Sequence, residues 1–322
     1  MAERFDITAP RWDQSTFMGR LRHFANITDP RVSFCTTSEL MASKKLFDEY
    51  KRRKEPSGTT MEELYRAQKL VGSAFHPDTG ELQNFAGRMC FNAWGGTMLC
   101  GAMMVWYQST KAVLFWQFAN QSFNAVVNYT NRNANSELTN KDIGTAYFSA
   151  VTGALVCATG LKKYFEKRQV STMFQRMVPL GAVAVANAIN IPLMRQNELR
   201  QGISVTDERG MLVGESRLAA YQAISQVVLS RNVIVAPCMI LTPITEDRLK
   251  NWQWYARNFR TLNVPVSMLL TFVIYGSMVP VGCALFPQKS SMDVETLKKW
   301  EPEAYEKLVK KDIKKVYFNK GL

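Results

Sequence analysis

"QFANQSFNAVVNYTN", Gln117 to Asn131, carries six side-chain amides in a stretch without a charge. At the 3.6-residue helical period Gln117, Asn120, Gln121, Asn124, Asn128 and Asn131 follow steps of three and four, so they share one face about 100° wide. Trp116, Phe118, Phe123, Val126, Val127 and Tyr129 supply the opposite face. An amide moved into hydrocarbon without a partner costs about 4–8 kcal/mol, so the stripe must face protein or water. The sequence on either side decides the setting.

That setting is apolar. Residues between Arg88 and Lys111 carry no charge, and uncharged windows recur at Ile143 to Leu161, Met177 to Met194 and Leu262 to Gln288. Leu218 to Thr245 is another, interrupted only by Arg231. Each approaches the length needed to cross a bilayer core of about 30 Å at 1.5 Å per residue. Small residues such as Gly95, Gly96, Gly101, Gly153 and Gly181 recur within them, which suits close helix packing in lipid. The expected class is an all-α, multi-spanning helical membrane protein with about five transmembrane helices plus the amide-rich amphipathic helix.

Three segments follow from this: a soluble helical N-terminal region at 1–88, a transmembrane bundle at 89–288 and a charged tail at 289–322. In the first, Thr60 and Glu63 form a capping-box pair that starts a helix, and "HPDTGE", His76 to Glu81, reads as a turn around Pro77 and Gly80. In the tail, "LVKKDIKKVYF" alternates apolar and basic residues and reads as a solvated surface helix, with a dedicated lipid-binding element as the alternative. The loops Lys162 to Arg176 and Glu246 to Arg260 are basic. If the amide helix does not cross fully, both loops join the N-terminal region on one side, as the positive-inside rule prefers, and the C-terminus lies opposite.

With 40 Lys and Arg against 27 Asp and Glu, the net charge of +13 favours anionic partners. A membrane lipid surface fits better than nucleic acid, because no helix-turn-helix, zinc-finger or RNP-like pattern occurs. The six cysteines lack pair spacings and there are only two histidines, so neither a metal site nor a disulfide framework is expected. No Walker loop, cofactor motif or nucleophile–base set is present, which argues against an ATP-driven pump and against an enzyme. The opening "MAERFDITAPRWDQ" has neither signal-peptide nor transit-peptide character, so any organelle address is internal.

Several long and compositionally unusual strings resemble the sideroflexins, and they run in order along nearly the whole chain. They are "RWDQSTFMGRLRHFANITDPR", "SAFHPDTGE", "VLFWQFANQSFNAVVNYTNR", "ANAINIPLMRQNEL", "ALFPQKSSM" and "VYFNKGL". The resemblance implies a carrier of the mitochondrial inner membrane, imported without a cleaved presequence, with its N-terminus in the matrix and its C-terminus in the intermembrane space. It also implies serine as substrate, supplying one-carbon metabolism, with alanine, cysteine or other small neutral amino acids as further candidates. The amide-rich and "FHPDTGE" strings resemble the serine-transporting branch. An inner-membrane scaffold and an iron- or cofactor-related transporter are the competing readings.

Serine is a zwitterion, and a neutral asparagine can donate to its carboxylate or accept from its ammonium and hydroxyl without holding it too tightly. Asn120, Asn124 and Asn128 are therefore the first candidate contacts, with Gln121 next. Asn187 and Asn190 supply a second surface, and Pro192 after them predicts a helix kinked or broken near its end, where a break would free backbone groups at membrane depth. Arg195 either meets the substrate carboxylate or anchors the helix at the interface. Arg231 either counters that carboxylate, pairs with the amide stripe, or marks a helix break before Pro237. His76 and Asp78 are weaker candidates for gating or coupling beside their reading as a turn.

Overall fold

The computed structural model describes residues 4–321 apart from 78, 108, 132–139 and 176. Three helices form the N-terminal region: α1 (Phe17–Ile27), α2 (Thr37–Lys51) and α3 (Met61–Ala74). Capping boxes start α2, from Thr36 and Glu39, and α3, from Thr60 and Glu63 as the sequence predicts. The helices pack through two small cores, one around Ile7, Tyr50 and Leu64 and one around Val32, Leu40, Leu70 and Cys90.

Six further helices form the bundle: α4 (Asn92–Trp106), α5 (Thr110–Thr130), α6 (Asn140–Lys167), then after the short α7 (Thr172–Gln175) α8 (Val178–Met194). The short α9 (Gln196–Gln201) and strands β1 (Ile203–Thr206) and β2 (Leu212–Ser216) lead into α10 (Arg217–Leu249). The short α11 (Gln253–Arg257) precedes α12 (Phe259–Ala284). Each of the six packs antiparallel to the next, and α12 returns to α4, so the bundle is a closed ring. Glycines mark its tightest seams. A Cβ on Gly96 would fall inside the Tyr275 ring, and one on Gly95 would fall inside the Phe123 ring.

Helices α6, α10 and α12 are long and apolar enough to cross a membrane, and α8 is a shorter apolar helix. Helix α4 has only 15 residues, or about 22 Å at the α-helical rise. Helix α5 is long enough, at 21 residues, but its amides dilute its hydropathy. It is nevertheless a full member of the ring. Its Val113 packs with Ala158 of α6, Ser122 bonds Tyr147 of α6 at 2.9 Å, and Asn131 at its end bonds Gln83 at 2.8 Å.

An even number of antiparallel helices returns the chain to the end where it started. The sequence reading set the terminal regions on opposite sides of the membrane; in the bundle they come together at one end. Arg20 of α1 donates to Ala284 O at the end of α12, 2.9 Å away, so the N-terminal helices and the segment after α12 meet at one end. The basic loops on either side of α7 and α11 lie at the other end.

The all-α expectation needs a second correction, because the tail is part of a sheet. Strand β3 (Lys289–Asp293) is followed by the short helices α13 (Leu297–Trp300) and α14 (Pro302–Val309), and then by β4 (Lys315–Asn319). The strands form one antiparallel sheet in the order β2-β1-β4-β3. Of the segment read as a surface helix, Leu308 and Val309 end α14, but from Lys315 it is strand and alternates with period two, burying Val316 and Phe318 against Ala219 and Ala223 of α10. Glu301 fastens the tail to α10 by accepting from Arg217 N at 2.6 Å and from Ser216 Oγ at 2.6 Å. A carboxylate at that helix N-terminus also complements the helix dipole.

Candidate functional site in the ring

The amide stripe faces inward, where it divides into a structural and an unpartnered part. Gln117 is fully buried and donates from Nε2 to Tyr107 Oη at 2.8 Å, joining α5 to the end of α4. Asn131, at the other end, donates from Nδ2 to Gly87 O at 2.9 Å and so docks the N-terminal region. Between them, Asn120 and Gln121 are buried, yet Asn120 Nδ2 and Gln121 Nε2 have no hydrogen-bond partner. Asn124 and Asn128 are half-buried. Thr97 of α4, Ser230 of α10 and Thr271 of α12 also bury unpartnered hydroxyls. Each unmet group costs about 1–3 kcal/mol, so the ring interior is built to hold polar groups against its own stability.

Arg231 lies in the middle of α10, which runs unbroken through Pro237 and Pro243. It therefore does not mark a break. Its Nη2 donates to Asn128 Oδ1 at 3.3 Å, linking the one charge of this window to the amide stripe. The next residue, Asn232, accepts from Asn187 Nδ2 of α8 at 2.9 Å. One polar contact thus ties α10 to α5 and a separate one ties α10 to α8. On translocon-type scales a mid-helix arginine costs about 2.5–3.5 kcal/mol, and its bond to Asn128 offsets part of that.

Other expected residues lie elsewhere. Asn190 is buried on the same helix as Asn187. That helix runs through Pro192 as far as Met194, and the interruption comes at Arg195, before the short α9. The Arg195 guanidinium is engaged: it pairs with Glu198, and its Nη1 donates to Lys320 O at 2.8 Å. His76 belongs to a tight turn, accepting from Thr79 N through Nδ1 at 3.3 Å, with Gly80 N bonded to His76 O at 2.9 Å. The strand-like bridge between Phe75 and Leu82 closes this turn and leads to Gln83 and Asn84, which grip the end of α5. Asp78 lies outside the described residues. Among the described residues no group of His, Cys, Asp and Glu side chains is placed to hold a metal, and all six cysteines are free thiols.

Sequence reading missed Ser230, Asn232 and Lys320. The first two flank Arg231, and nothing in an apolar window singles out one serine or asparagine. Lys320 did carry a signal. It continues the period-two series Val316, Phe318, Lys320, all three of which are buried.

The ring is a mostly apolar helical bundle with three helices long and apolar enough to cross a membrane; it buries the amides of α5 beside an apolar cluster that includes Met103, Val183, Met239 and Val279. The sequence relationships are specific. A family model described as sideroflexins matches residues 6–322. The chain is 48% identical over 321 residues to Sideroflexin-2 of Drosophila melanogaster, covering 98% of each protein. It is 47% identical over 319 residues to Sideroflexin-1 of Homo sapiens, covering 98% of this chain and 97% of that one. Against Sideroflexin-2 of Mus musculus it is 44% identical over 321 residues, covering 99% and 98%. The protein belongs to the sideroflexin family. No solved structure matches the chain.

Proposed function

We propose that the protein carries serine, and with it other small neutral amino acids such as alanine and cysteine, across the mitochondrial inner membrane to supply one-carbon metabolism. The observation that carries this reading is the set of buried side-chain amides, on Asn120 and Gln121, whose donors find no partner within the ring. A zwitterion with a hydroxyl offers those donors a carboxylate and offers Asn124 and Asn128 an ammonium and a hydroxyl. Arg231, bonded to Asn128 of the stripe, offers the carboxylate a positive charge. The substrate passes through unchanged, by alternating access of the ring to its two ends. Membrane lipid surrounds the bundle, in keeping with the exposed Phe115, Phe118, Phe148, Val156 and Leu269.

The test is serine uptake by liposomes containing the purified protein. Uptake above that of protein-free liposomes, abolished by Asn124→Leu in a protein that still inserts, is the expected result. Uptake no greater than in protein-free liposomes overturns the carrier reading.

A further inference from the structure

A buried acid sits at the end of the ring away from the sheet. Glu246 lies in the last turn of α10, which ends at Leu249, and is 9% exposed. Across the seam it meets α12, where the Ser267 hydroxyl bonds Glu246 Oε1. The same hydroxyl lies 2.7 Å from Asn263 O, one turn back on its own helix. The next residue, Asp247, takes Lys250 at 2.8 Å, and among the described residues no lysine or arginine pairs with Glu246 itself.

A hydroxyl has one proton and cannot give it fully to two acceptors. With the serine proton on Asn263 O, the bond between Ser267 and Glu246 forms when the carboxyl donates, which requires Glu246 in its neutral, protonated form. The surroundings favour that form, because a buried charge needs a partner and the C-terminal end of a helix dipole repels an anion. Few other groups face this acid. From α11, Tyr255 is 2% exposed and its hydroxyl has no partner; burial pushes that phenol up, and Glu246 adds to the rise. One turn deeper lie the buried hydroxyls of Thr242 on α10 and Thr271 on α12, and beyond them the thiols of Cys238 and Cys100. Asp247, Arg248, Arg257 and Arg260 are exposed to solvent. Helices α4 and α8, which also pack on α10, carry no charged side chain. Among the described residues no buried cation is therefore in place to hold Glu246 ionised.

We propose that Glu246 is a proton-binding site that couples transport to a proton. The proton rests on Glu246 while α10 and α12 are closed on Ser267. When the two helices part at this end, it passes to water beside the basic loop, and the carboxylate left behind is solvated. Coupling rests on the amino-acid transport reading; the protonated acid itself rests on the contacts of Ser267.

Serine uptake into liposomes is measured with and without an imposed pH gradient for wild type, Glu246→Gln and Glu246→Asp. A gradient acidic on the side of serine addition should speed wild-type uptake several-fold. Glu246→Gln, which mimics the protonated acid and cannot release a proton, should take up serine at the same rate with or without the gradient, and Glu246→Asp should keep a response. An equal response in wild type and Glu246→Gln overturns the coupling. Infrared spectra of the protein in lipid at neutral pH test the site apart from transport. The carbonyl stretch of a protonated carboxylic acid should appear in the difference between wild type and Glu246→Gln, and Ser267→Ala should displace it. If wild type shows no serine uptake while this band is present, the transport reading fails and the proton site stands. Absence of the band from that difference overturns the proton site, whatever the uptake.

Discussion

Arg231 of α10 and Asn128 of α5 meet at 3.3 Å, and this contact fixes the only charge of one apolar window to the amide stripe of another. Neither helix would tolerate its polar residue against lipid. The pair therefore sets the rotation of both helices, and it predicts energetic coupling. Arg231→Gln should lower serine uptake at least tenfold, and Asn128→Ala should lower it less. The double variant should lose little beyond Arg231→Gln, because an interaction worth about 1–3 kcal/mol can be removed only once. Losses that multiply independently would show that the two residues act separately.

The unpartnered amides predict a trade between stability and transport. Replacing Gln121 or Asn120 with leucine removes a buried donor whose hydrogen bond is unmet, so each variant should melt higher, by about 1–2 kcal/mol in unfolding free energy. Each should also transport poorly. Thermal denaturation in detergent and uptake in liposomes, measured on the same preparations, decide this. A variant that melts lower and transports normally would show that the amides hold helices together instead.

Acid stability of the N-terminal region should depend on Asp29. Burial alone would raise this carboxyl, but Arg31 donates from Nη2 at 2.7 Å and Lys69 donates at 2.6 Å, and together they hold it well below the usual carboxylate range. A carboxyl depressed in the folded state contributes its full stability above its unfolded pKa, near 3.9, and loses it as pH falls through the lower folded value. Asp29→Asn should lower unfolding stability at pH 7 by about 1–3 kcal/mol and have a shrinking effect below pH 4. Chemical denaturation of both proteins across pH 2 to 7 measures this, and a pH-independent difference would contradict it.

The ring also predicts membrane topology. Because α5 runs the whole length between α4 and α6, protease protection in mitochondria should find tags at the N- and C-termini on the same side of the inner membrane. Tags on opposite sides would mean that one of the six bundle helices does not cross, α4 being the shortest.

Much of this was legible in the residues. The uncharged windows give the positions of all six bundle helices, because a span of hydrocarbon excludes charge wherever it occurs. The cost of burying amides dictates that the stripe at Gln117 to Asn131 faces inward. The capping pair at Thr60 and Glu63 and the turn at His76 follow from local chemistry alone. What local sequence does not contain is the partner of each polar group. Asn131 has the same face and spacing as Asn128, yet one clamps Gly87 and the other meets Arg231.

The sequence by itself determined that there is a bundle with a polar interior, since solvation energies of single residues suffice to demand it. The tertiary structure decided which amides are spoken for, that Arg195 bonds the tail through Lys320 O, and that the chain beyond the last strand buries Lys320. Those outcomes depend on ring closure and strand pairing between segments more than a hundred residues apart, such as Arg195 with Lys320. No window of sequence can carry such distances, because hydrophobic periodicity reports which face is buried but not what lies against it.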